Sequence, residues 1–208
     1  MFWTFGIITG GQKEEFINKI INSIEQQKIP ENHYQVIIVG QCEISRKNTK
    51  IIPFNEKIKP MWITRKKNII SQEARFENIA FLHDYVALCD GWYENFISFG
   101  DNWDVCMNPI LNYDNTRFRD WLLWPPKLLH YHDHSRTKEM YASGSYYCSK
   151  KSFTLKYPLN ENLCWNQGED LDWCFKIRNF WNYRCNAESK VKLLKYKEDV
   201  PNIDSLIR

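Results

Sequence analysis

The sequence predicts an α/β fold, with a mostly parallel central sheet, helices on both of its faces and a smaller subregion in the second half. Three observations predict it. The apolar runs of the first half are short and nearly continuous rather than alternating, as in strands covered on both faces. Helical patterns or polar stretches separate them. Most of the runs give way to glycine or to a polar cluster, where such a strand would turn.

The elements follow in order. Phe5-Gly6-Ile7-Ile8-Thr9 reads as a first buried strand, stopped by Gly10-Gly11. Residues 13–27 place Phe16, Ile17, Ile20, Ile21 and Ile24 on one helical face, and Pro30 closes that region. Gln35-Val36-Ile37-Ile38-Val39 is a second strand, ended by Gly40, and residues 49–54 make a third. A basic helical segment is expected over 65–77, then a fourth strand at Ile79-Ala80-Phe81-Leu82. Beyond residue 90 the pattern is less regular, with strands expected at Val105-Cys106-Met107 and over 141–148 and a helix over 168–180. The pattern changes there without a linker, so residues 1–208 are expected to form one domain of two halves, 1–90 and 91–208.

Composition narrows the function. The charge balance, 28 basic against 25 acidic residues for a net +3, argues against a nucleic-acid binder. The aromatic residues (9 Trp, 11 Tyr, 12 Phe) belong mainly to the core, although an aromatic face also suits the C–H and O–H surface of a sugar. The 7 cysteines form no CxxC pair, which excludes a zinc ribbon or a thioredoxin motif and suggests reduced thiols in a cytoplasmic setting. The apolar residues 1–11 lack the basic start and cleavage site of a signal peptide. No apolar run approaches the ~18 residues of a membrane span.

Ligands of open parallel sheets bind beyond the carboxyl ends of the strands. Thr9-Gly10-Gly11, Glu43 and His83-Asp84-Tyr85 all fall there. The glycines allow close approach of a ligand to the backbone, and Asp84 can hold a hard divalent cation that in turn holds a diphosphate. Arg65-Lys66-Lys67 is either a solvated helix face or a clamp on phosphates, with Asn68 as a hydrogen-bonding neighbour. Gly168-Glu169-Asp170-Leu171-Asp172-Trp173 opens a helix, where acids complement the dipole or one of them serves as a general base. His130, His132 and His134 would share one face of an extended segment, as a metal site, as one useful histidine in a loop, or as neither.

Taken together, these residues resemble the family 2 glycosyltransferases with the GT-A fold. The match runs through residues 5–11, 35–43, 62–85 and 141–178 and includes Tyr141-Ala142-Ser143-Gly144, Pro158-Leu159-Asn160-Glu161 and Trp165-Asn166-Gln167-Gly168-Glu169-Asp170. The resemblance implies a UDP- or GDP-sugar donor, Mn²⁺ or Mg²⁺, and a carbohydrate or other hydroxyl acceptor. It makes residues 1–90 the donor half and 91–208 the acceptor half. Thr9, Gly10, Gly11 and Glu43 would meet the nucleotide, Lys66, Lys67, Asn68 and His83 the donor, and Asp84 the metal. Asp170 would be the base of an inverting transfer, with Glu169 beside it and Trp165, Asp172 and Trp173 on the acceptor side. The family usually carries two acids at the metal motif, whereas here the triplet is His83-Asp84-Tyr85. A second ligand would come from His132 or His134, or the diphosphate and water would complete the shell. Two other readings remain open: a sugar nucleotidyltransferase, and a non-catalytic sugar-binding protein on a transferase scaffold.

Overall fold

The computed structural model describes residues 1–197. Thirteen strands and five α-helices follow in chain order. The first half holds β1 (Trp3–Ile8), α1 (Glu14–Glu25), β2 (Tyr34–Val39), β3 (Thr49–Ile52), α2 (Ile63–Glu73), β4 (Asn78–His83) and β5 (Val86–Leu88). The second holds α3 (Trp92–Phe99), β6 (Val105–Met107), β7 (Ile110–Leu111), β8 (Leu122–Leu123), β9 (Lys127–Leu128), β10 (Met140–Tyr141), β11 (Tyr146–Lys150), α4 (Lys151–Lys156), α5 (Glu169–Ile177), β12 (Tyr183–Cys185) and β13 (Val191–Leu193).

The central sheet has 7 strands in the order β12-β6-β11-β4-β1-β2-β3. Only β11 runs against its neighbours, β4 and β6; the other pairings are parallel. The continuous apolar runs behave as expected, and every residue of β1 and of β4 is buried. Helix α1 forms because Ile17, Ile20, Ile21 and Ile24 share the buried stripe, while Glu14 and Glu15 stand in its first turn.

Several elements differ from expectation for local reasons. The basic helix starts and stops earlier, at Ile63–Glu73, because Ala74 is already extended on the way into β4. The single strand expected over 141–148 is two strands, separated by a turn at Ser143–Gly144–Ser145. That turn becomes part of the site. The late helix is shorter, Glu169–Ile177. Two small sheets, β10-β8-β9 and β5-β13-β7, carry no clear signal of their own because their strands are only two or three residues long.

Most of the large aromatic residues are core. Trp3 lies under the sheet against Trp92 and Phe96, each with ring centroids 4.7 Å away in edge-on geometry. Trp121 and Trp173 are also buried. Each such side chain contributes on the order of 1.5–3 kcal/mol by leaving water.

Candidate active site

Strand register brings the tips together. Ile8 pairs with Val39 on one side and His83 on the other, so Thr9, Gly40 and Asp84 follow side by side at the carboxyl end of the sheet. The Thr9 hydroxyl donates to Asp84 Oδ2 at 2.9 Å and accepts the Gly11 N–H at 3.0 Å. Thr9 thus aims the Asp84 carboxylate and shapes the turn. Gly40 has φ +143°, and a Cβ there would lie 2.2 Å from the Thr9 carbonyl oxygen, so the two turns approach each other only because this residue is glycine. Lys66 reaches the same place from α2, donating to the Thr9 carbonyl at 2.7 Å and pairing with Glu56.

Helix α5 supplies the opposite wall. Gly168 enters it at φ +68°, in the left-handed region. The Gly144 N–H donates to Asp170 Oδ2 at 3.2 Å, and the Leu171 N–H donates to Oδ1 at 2.9 Å. A Cβ on Gly144 would stand 3.1 Å from Asp170 Oδ2, so the small residue in the β10–β11 turn lets the helix start come this close. Glu169 is buried beside it, and burial raises its pKa, with the Asp170 charge pushing the same way. Beneath the two acids lies Lys67, buried, its ammonium donating to the Gly144 carbonyl at 2.7 Å. Burial lowers the Lys67 pKa, while the charges of Glu169 and Asp170 act to raise it.

Two cavities open between these walls, of about 300 and 140 Å³. The larger is lined by Tyr85, Arg119, Trp124, Ser143, Gly144, Glu169, Asp170 and Lys197, among others. Thr9, Gly10, Glu56, Lys66 and Asp84 line the smaller. Both share His83 and Trp165. Trp165 is 50% exposed and offers an aromatic face to both. His83 is buried, and burial together with the Lys67 and Lys197 charges drives its pKa well below the usual imidazole value. The ring is therefore neutral. It hydrogen-bonds the Gly144 backbone, and its buried Nε2 has no partner among the described residues. This leaves an acceptor lone pair in the wall between the cavities.

Other expected site residues fall elsewhere. Trp173 is not an acceptor platform: it is buried in the core, and its indole N–H donates to the Tyr157 carbonyl at 2.7 Å. Asp172 lines neither cavity and is paired with Lys176 one turn on, at 2.8 Å. Asn68 is a staple rather than a ligand contact, bonding the Leu159 backbone in both directions at 3.0 Å. Lys67 points into the protein, so it is no exposed phosphate clamp. Glu43 is exposed beyond β2, outside both cavities, with its N–H donating to Glu14. His132 and His134 also line neither cavity, and the His134 ring lies 5.1 Å from that of Trp121. Sequence reasoning missed Trp124 and Lys197, which carry no motif and meet only through folding, and it quoted Tyr85 and Gly144 within longer segments without giving either a role.

No protein-family model matches the sequence, and no curated protein does. Solved structures match in shape. S. aureus TarS 1–349 superposes with a TM-score of 0.69 at 15% identity, over 93% of this chain and 60% of that one. The same TarS fragment in complex with UDP-GlcNAc gives 0.68 at 14%, over 96% and 60%. GalNAc-T7 with UDP, GalNAc and Mn²⁺ gives 0.71 at 11%, over 96% and 44%. The fold is GT-A. The chain thus spans 60% or less of the length of these GT-A proteins.

The residues at the GT-A strand tip do not fit a protein-built divalent site. Asp84 is the one carboxylate of its motif, and Thr9 already donates to one of its oxygens. Glu56, across the smaller cavity, is taken by Lys66. Among the described residues, no group of three or more His, Cys, Asp or Glu side chains is placed to hold a metal ion. Lys195 and Lys197 instead bring positive charge to Asp84.

Proposed function

We propose that the chain is a glycosyltransferase that moves a sugar from a nucleotide diphosphate donor to a hydroxyl acceptor, with inversion. One observation carries the reading: Asp170 opens into a cavity that shares His83 and Trp165 with the cavity at the strand tips. A donor whose diphosphate lies at the tips can then present its sugar toward Asp170. Supporting it, the similar TarS fragment binds UDP-GlcNAc and GalNAc-T7 was solved with UDP and GalNAc.

In this reading the Asp170 carboxylate takes the proton of the acceptor hydroxyl as its oxygen attacks the anomeric carbon. The bond from that carbon to the diphosphate oxygen breaks, and the nucleotide diphosphate leaves. The Gly144 N–H holds Asp170 in place. The neutral His83 Nε2 accepts a sugar hydroxyl, and Trp165 packs against a sugar face. Glu43, exposed beyond β2, is the candidate contact for the nucleoside. Residues 1–90 carry the donor side and 91–208 the acceptor side. Mn²⁺ or Mg²⁺, as implied by the family resemblance, would have Asp84 alone as a protein ligand from the strand tip, and no step here depends on it. No helix among the described residues is long and apolar enough to cross a membrane. A cytoplasmic setting is proposed from the 7 unpaired cysteines.

The test is Asp170→Asn, which keeps shape and loses the base. Turnover should fall by roughly 10²–10⁴ while nucleotide affinity stays within about twofold. Turnover near the parent level would remove Asp170 from the role. Binding of a UDP-sugar with neither transfer nor hydrolysis over an acceptor panel would favour a non-catalytic sugar-binding protein. Pyrophosphate release from a sugar phosphate and a nucleoside triphosphate would favour a nucleotidyltransferase.

A further inference from the structure

Three lysines gather around Tyr85, the residue that follows Asp84. Leu193, in β13, pairs with Val86 in β5, and the Leu194 N–H donates to the Tyr85 carbonyl at 2.8 Å. This pairing carries Lys195 and Lys197 back to the tip of β4. Their ammonium groups each lie 4.4 Å from the centroid of the Tyr85 ring, and Lys197 donates to the Tyr85 hydroxyl at 2.6 Å. From the first turn of the fold, just before α1, Lys13 reaches within 5.4 Å of the same ring. The Lys13 charge also acts on Lys195, lowering its pKa after burial does.

This arrangement is costly without an anion. Among the described residues, none of the three lysines has a carboxylate within ion-pair distance, and Asp84 is the acid that acts on Lys195 and Lys197 from nearby. Tyr85 meets them with a ring face and a hydroxyl, which also lies 3.3 Å from the Ser145 hydroxyl. Burial and the charges of Lys195, Arg119 and Lys13 lower the Lys197 pKa to about 8. Lys197 also lines the larger cavity together with His83 and Asp170. Lys13 and Lys195 gather with it around the Tyr85 ring, and crowded, half-buried ammonium groups suit a compact, multiply charged anion.

We propose that Lys13, Lys195 and Lys197 seat the diphosphate of the donor and supply the positive charge that a divalent cation would otherwise bring to the strand tip. The proposal rests on the reading of the cleft as a nucleotide-sugar site. Asp84, held by Thr9, then acts as the counter-charge that keeps the lysines together between turnovers. The charge developing on the leaving diphosphate meets fixed ammonium groups, so donor binding does not require a metal.

Calorimetry with UDP, inorganic pyrophosphate and uridine tests this, in EDTA and in Mn²⁺. UDP and pyrophosphate should bind in EDTA, with Mn²⁺ changing the UDP affinity by less than about threefold. Lys195→Gln with Lys197→Gln should weaken UDP and pyrophosphate by roughly 10- to 100-fold and leave uridine affinity unchanged. Lys13→Gln, on a surface turn, should give a smaller loss in the same direction. The variants should melt no lower than the parent, since they remove mutual repulsion. UDP binding that is abolished by EDTA, restored by Mn²⁺ and lost in His83→Ala would overturn the proposal in favour of a metal held by His83 and Asp84. So would parent-like UDP affinity in the lysine variants, and that result would leave the transferase reading intact. Pyrophosphate bound through the lysines with no affinity for any nucleotide would keep the anion site and remove the transferase reading. Failure of the parent to bind either anion would overturn both.

Discussion

At the scale of residues, the cleft is built from groups held in unfavourable states. His83 is a neutral imidazole with an unpartnered Nε2, and Lys67 is a buried ammonium under two acids. Glu169 is a buried carboxyl whose pKa is raised by burial and then by Asp170. A raised carboxyl pKa means that the folded state holds this proton more tightly than the unfolded chain does. The associated stability is therefore complete below the ordinary glutamate value and is lost as pH rises through the folded one. Glu169→Gln removes that loss. The variant should melt above the parent at neutral pH, and the difference should close as the pH falls below the ordinary glutamate range. Differential scanning calorimetry over a pH series measures it. A variant that melts lower at neutral pH would show that attraction to the Lys67 charge outweighs the burial cost. Such a gain in stability at the expense of a site residue is the usual sign of a functional position.

At the scale of elements, backbone turns do the positioning. The strands end level, so what differs between them is how each chain leaves the sheet. Gly40 leaves with φ +143° against the Thr9 carbonyl, and Gly11 with φ +87° against Gln41. Gly10, one residue earlier, has open space around it and no left-handed backbone. Gly40→Ala should therefore cost about 1–3 kcal/mol through strain and clash, lowering the urea midpoint with an unchanged slope. Gly10→Ala should stay within about 0.5 kcal/mol. Equal midpoints for the two variants would mean that the β2 turn relaxes freely. Because Thr9 holds Asp84, the Gly40 variant should also weaken nucleotide binding. The turn between β10 and β11 shows the same logic from the other side: Gly144 gives its N–H to Asp170 and its carbonyl to Lys67. It was expected inside a strand, because the aromatic residues on either side of Ser143-Gly144-Ser145 read as one element, and the purpose of the turn lies in contacts made by distant residues.

For the whole molecule, strands from both halves share one sheet, with β6, β11 and β12 extending the sheet of β1 to β4. A donor seated as proposed would touch groups from both ends of the described chain, Lys13 and Lys197 among them, so its binding energy would add to the stability of the whole fold. UDP at about 100 times its dissociation constant should contribute about 2.7 kcal/mol. For a chain of this size that is a rise of roughly 5–10 °C in Tm. Uridine should give less and a free sugar nothing. Equal shifts from free sugar and UDP would argue against a nucleotide site.

The sequence by itself determined the local terms. Continuous apolar runs specified β1, β2 and β4, a 3.6-residue stripe specified α1, and glycines marked the turns after β1 and β2. Residues bound to one element, such as Asp84 at a strand tip and Asp170 at a helix start, were legible because strand and helix ends have fixed chemistry. Tertiary structure decided which side chains face a cavity. Trp165 and Trp173 lie eight residues apart with similar local surroundings in the sequence, yet one is half exposed at the cleft and the other is core. Lys66 and Lys67 are adjacent, and only the first reaches a strand tip because successive helix positions point about 100° apart. The lysines at 195 and 197 join Lys13 and Tyr85 only because β13 pairs with β5, a contact across more than a hundred residues that no local pattern encodes.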